Sequence, residues 1–369
     1  MSKILLLATH FPPTVGGTPT VYFNICQNMD PKEIVVLTKK SGNWEEFDQA
    51  QQFKIYRMDQ ISHLDFHIFQ EIRDILHIIK TEKIDTIIFG HINFCLTALL
   101  LRFLFRKKYF FYIHGEEITR HYGGKYYQFF KWKSLENAEG IIAVSDYTKT
   151  LIEQHNSNIK VIYNAVDAKK FTPKAKNTEL IKRHNLENKT VLLTVARLEN
   201  RKGQDMVIRC LQEIVKETPN LKYLIVGEGK EKVRLKNLVA KERLEEYVEF
   251  LGTISPELLV DYYNLCDIFV MPNRETEDGN TEGFGISFLE ANACGKPVIG
   301  GKAGGVLSVI KDGYNGFLVD GKSRDEILNA ISKLIKNESL RVSIGQNGTR
   351  WAKEFTYDKL VKEIKAFLD

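Results

Sequence analysis

Val191–Val226 reads VLLTVARLENRKGQDMVIRCLQEIVKETPNLKYLIV. Val191–Ala196 is a continuous apolar run, the pattern of a strand covered on both faces rather than one. Gln204–Glu217 places Met206, Val207, Cys210, Leu211, Ile214 and Val215 at spacings of three and four, which predicts an amphipathic helix. Lys222–Val226 is a second apolar run. Strand, helix and strand in so short a span form a βαβ unit, which builds a parallel sheet through right-handed crossovers.

The same alternation extends in both directions. Upstream, the predicted strands are Ile4–Thr9, Ile34–Thr38, Thr86–Phe89, Tyr109–His114, Gly140–Val144 and Lys160–Tyr163. Downstream they are Val248–Leu251, Ile268–Met271, Pro297–Gly300 and Gly316–Val319. Asp167–Glu187 is polar, holds Pro173 and lacks strand signals. The pattern predicts an α/β chain of two doubly wound domains, residues 1–168 and 169–350. A closing helix over 351–369 packs back on the first. Ligands of such sheets bind outside the carboxyl ends of the strands, here in the cleft where the two domains face each other.

Composition narrows the class. The chain has 369 residues, Lys+Arg 52 against Asp+Glu 47, a net charge of +5, 43% hydrophobic and 27% charged residues. These values exclude wholesale disorder, and no block is basic enough for a nucleic-acid surface. Five scattered cysteines without a C-x-x-C argue against disulfides or a cysteine zinc site. The paired His63 and His67 lack an H-E-x-x-H context. Neither Ile4–Ala8 nor Phe94–Leu101 is long enough for a signal-peptide core or a membrane span. A cytoplasmic location follows as the expectation.

Chemistry gathers at predicted strand ends. FPPTVGGTPTV (Phe11–Val21) places Gly16 and Gly17 before a helix, either as a turn needing positive φ or as amides approaching an anion. VARLENRKG (Val195–Gly203) offers Arg197 and Lys202 to a diphosphate, unless it is a solvated basic loop. EGFGISFLE (Glu282–Glu290) carries two carboxylates about 12 Å apart if wholly helical. That is too far for an acid–base pair at one bond, and it suits separate contacts along an extended ligand. His114 ends a strand and can donate to a hydroxyl or phosphate, or serve the fold. Gly304–Gly305 predicts another close backbone approach. NRETEDGNT (Asn273–Thr281) is a polar loop with Arg274 as a candidate ligand or a solvated residue. In Arg120–Lys133, aromatic and basic residues interleave, either as a packed helix with a basic face or as a membrane-docking surface.

Taken together with YNAVDAKKF (Tyr163–Phe171), these motifs resemble the retaining family 4 glycosyltransferases of the GT-B fold, along nearly the whole chain and in order. ARLENRKG and EGFGISFLEANACGKPVIGGKAGG carry the resemblance most specifically. The second is most similar to bacterial phosphatidylinositol mannosyltransferases and to polysaccharide and lipopolysaccharide enzymes. The resemblance implies two Rossmann-like domains, acceptor-binding then nucleotide-sugar-binding, with a hinge at Asn164–Asp167. It implies a metal-independent hexosyltransferase without a cofactor. The donor would be a nucleotide diphosphate sugar, GDP-mannose first and a UDP-hexose second. The acceptor would be a glycan or glycolipid of the cell envelope, met at the cytoplasmic face of the inner membrane. Arg197 and Lys202, helped by Gly16 and Gly17, would hold the diphosphate. Glu290 would bind the ribose. Glu282, Gly283 and the amides of Phe284, Gly285 and Ile286 would hold the sugar or phosphate, and His114 would meet the sugar near the reacting carbon. His10 departs from the acidic residue expected before FPP. A phosphorylase or epimerase on the same fold, or a non-catalytic nucleotide-sugar-binding subunit, are the other readings.

Overall fold

The computed structural model describes residues 3–60, 68–119 and 124–369. His63, His67 and Arg120 lie outside the described residues. The apolar run Ile4–Ala8 is buried at every position and forms β1, the middle of a parallel sheet. Around it lie β2 (Ile34–Lys39), β3 (Lys54–Met58), β4 (Thr86–Phe89), β5 (Tyr109–Ile113), β6 (Gly140–Ala143) and β7 (Ile159–Val161). Their order is β3-β2-β1-β4-β5-β6-β7.

A second parallel sheet holds β8 (Thr190–Val195), β9 (Leu221–Val226), β10 (Val248–Gly252), β11 (Ile268–Met271), β12 (Val298–Gly301) and β13 (Gly316–Val319). Its order is β10-β9-β8-β11-β12-β13. In each sheet the direction of winding reverses beside the first strand, between β1 and β4 and between β8 and β11. Such a reversal opens a crevice at the strands' carboxyl ends.

β3 is absent from the sequence-based expectation. KIYRM has no continuous apolar run, because this edge strand is only half-buried along most of its length. The pattern that marks a strand covered on both faces does not exist there.

Helices cover the sheets as the apolar spacing requires. Ile72, Ile75 and Ile79 of the helix Ile68–Glu82 pack on Leu5, Leu7, Val35 and Phe89 in one core. In the second core, Val207, Cys210, Leu211 and Ile214 of the helix Gln204–Glu217 meet Leu192, Tyr223, Ile225 and Val270.

The chain divides into two units, one running to Asn164 and resuming at Tyr357–Asp369, the other Ala165–Thr356. The division therefore precedes residue 168, and 351–369 is not one closing segment. Trp351 and Ala352 end the helix Glu338–Ala352 of the second unit. Val166 N–H bonds to Phe355 O at 2.9 Å, so both connecting strands of chain belong to that unit. From Tyr357 a new helix, Tyr357–Leu368, packs on the first. It buries Leu360, Val361 and Ile364, sets Phe367 edge-on to Phe110 at 5.7 Å and pairs Lys365 with Glu33.

Candidate functional site

In the second unit the chain leaves β8 through a loop and the single 3-10 turn Asn200–Lys202, then enters the helix Gln204–Glu217. Gly203 joins them at φ 76°. A Cβ there would lie 2.2 Å from the carbonyl oxygen of Pro272, so the turn can press against the end of β11 only because this residue has no side chain.

That contact brings together charges distant in sequence. Lys202 Nζ and Arg201 Nη1 both donate to Glu282 Oε2, the Arg201 bond at 2.9 Å. Arg201 Nε also donates to Glu199 at 3.0 Å, and Glu199 pairs with Arg197 at 2.9 Å. Arg201 and Lys202 are buried, while the Arg197 side chain is 58% exposed. Burial acts to raise the Glu282 pKa, but Lys202 and Arg201 overcome it and hold the carboxyl at about 2. Burial lowers the Lys202 pKa against the opposing pull of Glu282. Arg197, Arg201 and Lys202 thus meet Glu199 and Glu282 in one cluster at the switch point.

Around Glu282 the backbone closes in. Gly304, at φ 63°, would place a Cβ 2.3 Å from the Glu282 carbonyl oxygen, and Gly305 N–H donates to that oxygen at 2.7 Å. The helix Ile286–Ala293 starts after Gly285, at φ 97°. Glu290 therefore lies little more than one turn inside it, not two, since Glu282–Gly285 is not helical. Glu290 accepts from Tyr263 OH at 2.6 Å, and burial raises its pKa against that bond. Among the described residues no other hydrogen bond reaches its carboxylate.

In the first unit, the helix Gly17–Gln27 follows β1, and His114 follows β5. His114 Nε2 lies 2.7 Å from Tyr22 OH, which donates to Gly90 O at 2.5 Å beyond the end of β4. His114 stacks on Tyr112 with centroids 5.2 Å apart. Its backbone N–H donates to Glu117 at 2.7 Å. Burial drives the His114 pKa down to about 3, with His91 adding to the effect.

Two family models match this chain, Glycosyltransferase Family 4 over residues 15–170 and Glycosyl transferases group 1 over residues 176–351. The chain is a family 4-like glycosyltransferase of the GT-B fold. Among its relatives is an uncharacterised glycosyltransferase of Methanocaldococcus jannaschii, 28% identical over 98% of this chain and 97% of the relative. Another is the GDP-mannose-dependent alpha-(1-6)-phosphatidylinositol monomannoside mannosyltransferase of Mycobacterium tuberculosis, 26% identical over 100% of this chain and 98% of the relative. Of solved structures, Anabaena HepE in complex with UDP and glucose superposes with a TM-score of 0.85 at 21% identity, covering 100% and 99% of the two chains.

Within this glycosyltransferase, Lys202, Glu282 and Arg197, read in the sequence as parts of two separate motifs, gather in one ionic cluster. Arg201 and Glu199, which complete it, have no separate signal in sequence. Arg201 joins because the 3-10 turn points neighbouring cations at one carboxylate.

Arg274, a candidate ligand or a solvated residue in the sequence, is ion-paired within the unit. Its guanidinium grips both oxygens of Asp205 at 2.9 and 3.0 Å and also Asn200, tying the polar loop to the basic one. Gly16 and Gly17 do not form a positive-φ turn. Gly16 is extended at φ 163°, and a Cβ on Gly17 would meet nothing within 4 Å, so open space stands before this helix.

Lys131 is a correction to the basic-face reading. It is 1% exposed, donates to Ile118 O at 3.0 Å and lies over the Trp132 ring. Among the described residues no helix is long and apolar enough to cross a membrane.

Proposed function

We propose that this glycosyltransferase moves a hexose from a nucleoside diphosphate sugar to a glycan or glycolipid acceptor, with retention and without a metal. The observation that carries it is the buried Arg201–Lys202–Glu282 cluster at the switch point of the second sheet. Preorganised cations in a desolvated site stabilise the charge of a departing diphosphate. Arg197 and Lys202, helped by Gly16 and Gly17, meet that diphosphate. Glu290 offers its remaining lone pairs to ribose hydroxyls. Gly283 and the amides of Phe284, Gly285 and Ile286 line the sugar or phosphate, and His114 meets the sugar. With its pKa at about 2, Glu282 exchanges no proton at neutral pH and serves as the anion that aims Lys202.

GDP-mannose is the preferred donor, supported by the dependence named for the mycobacterial relative, with UDP-hexoses second on the ligands of HepE. The acceptor reading is cell-envelope polysaccharide or lipopolysaccharide synthesis at the cytoplasmic face of the inner membrane. Peripheral contact there is supported by the exposed Tyr126 and Phe129 and by Phe103, Leu104 and Phe105, which precede Arg106 and Lys107.

Thermal-shift titration with GDP, UDP, ADP, dTDP and their sugar conjugates, with and without EDTA, tests the donor site. A ligand at 100 times its Kd adds about 2.7 kcal/mol. One base is expected to shift the melt irrespective of EDTA. Lys202→Ala is expected to fold, since Arg201 still pairs Glu282, and to lose about 100-fold or more in donor turnover. Silence with every nucleotide, together with undiminished turnover in the variant, overturns the reading.

A further inference from the structure

The Tyr22–His114 contact has a direction that hydrogen counting fixes. Tyr22 is 1% exposed, and burial raises its pKa well above the ordinary range, so the phenol keeps its single hydrogen. A carbonyl oxygen only accepts, so that hydrogen goes to Gly90 O at 2.5 Å. The Tyr22 oxygen can then only accept from His114, whose Nε2 at 2.7 Å must carry a proton. A neutral imidazole has one N–H, so its Nδ1 presents a lone pair. Among the described residues no hydrogen bond reaches Nδ1.

The packing admits little else. Tyr22 stands edge-on to the ring at 5.3 Å and Tyr112 is stacked on it. Gly90 is required for this approach, since a Cβ there would lie 2.7 Å from the Tyr22 ring. The ionisable groups around the imidazole are Glu117, which binds the His114 backbone N–H, and His91 beyond β4.

We infer that Tyr22 is a positioning residue that fixes the His114 tautomer and leaves Nδ1 as a hydrogen-bond acceptor. His114 therefore recognises a hydroxyl group of the transferred sugar and discriminates against a phosphate oxygen, which has no proton to give. The tautomer does not depend on the proposed reaction. Its use on a sugar hydroxyl rests on the proposed transfer reaction.

Nitrogen-15 NMR of the imidazole in the free, full-length protein reads the tautomer directly. The expected spectrum has protonated Nε2 and bare Nδ1, unchanged between pH 6 and 8. Tyr22→Phe keeps the ring and removes the acceptor, and it is expected to release the tautomer preference. Donor analogues with single hydroxyls replaced by fluorine, which accepts but does not donate, read the function. At the hydroxyl that His114 meets, fluorine is expected to cost the wild type about tenfold in kcat/KM. Tyr22→Phe is expected to shrink that discrimination, with the change in kcat rather than in donor KM.

Protonated Nδ1 in the wild type overturns the inference. So does a Tyr22→Phe variant with unchanged tautomer and unchanged discrimination. If Tyr22→Phe does not fold, the wild-type spectrum and fluorine series decide. If no nucleotide sugar is turned over, the proposed function fails while the spectrum still decides the tautomer.

Discussion

Glu282 and His114 are both buried, and their charges respond to that burial in opposite ways. Glu282 titrates at about 2 in the folded chain against an ordinary value of 4.5, because two cations outweigh its desolvation. Its stabilisation is complete above about pH 4.5 and fades as pH falls toward 2. His114 is a base whose pKa is depressed from 6.5 to about 3. It opposes folding as pH falls through that interval, because the unfolded chain binds the proton first. Glu282→Gln is expected to leave Lys202 and Arg201 facing an amide. The cost is roughly 3 kcal/mol at pH 7, read by urea denaturation. The acid-side slope of stability should also flatten between pH 2 and 4.5, and an unchanged slope would mean the carboxylate is not held by these cations. Lys202, Glu282, Glu290 and His114 were singled out in the sequence because each stands in the loop or helix that follows a strand. Glu199, Arg201 and Tyr22 were not, because their meaning lies in partners up to 92 residues away, as between Tyr22 and His114.

At the level of elements, the glycines separate structure from ligand space. Gly203 sits at φ 76° with the Pro272 carbonyl 2.2 Å from a virtual Cβ, while Gly17 begins its helix with nothing within 4 Å. Gly203→Ala is therefore expected to cost at least 1–3 kcal/mol in backbone strain and to move the Lys202 loop, lowering both melting temperature and donor affinity. Gly17→Ala is expected to hold or raise the melting temperature, since alanine suits a helix better by about 0.4–1 kcal/mol. It should nonetheless weaken donor binding by occupying the open space. Equal donor affinity in Gly17→Ala and wild type would remove Gly17 from the site. Motif reading left Gly17 open between a turn and an anion-approaching amide and gave Gly203 no role of its own. Backbone angles distinguish the one that shapes a turn from the one that leaves room. Strand β3 eluded the same reading, since a half-buried edge strand carries no continuous apolar run.

At the scale of the molecule, the two sheets repeat one winding, and each places its reversal beside its first strand. The first unit also receives the helix Tyr357–Leu368, held by Leu360, Val361 and Ile364 and by the Lys365–Glu33 pair. Its exposed aromatic residues, with a chain charge of +5, suit an anionic bilayer. Sedimentation with vesicles containing anionic lipid is expected to pull down the protein, less so at high salt. Phe103→Glu with Phe129→Glu should weaken that binding several-fold, and undiminished binding would remove the membrane contact from the proposal. Lys131 is unsuited to such a test, because it is 1% exposed and lies inside the fold.

Periodicity was enough by itself to determine the α/β class and twelve of the thirteen strands among the described residues. These are local properties, written in the spacing of apolar residues. Only the tertiary structure decided that Arg201 joins Lys202 on Glu282, that Arg274 binds Asp205, that Lys131 is buried and that Tyr22 orients His114. Each of those depends on a close approach between distant segments, and charge or hydrogen-bond direction follows from the partner met there rather than from the residue's own type.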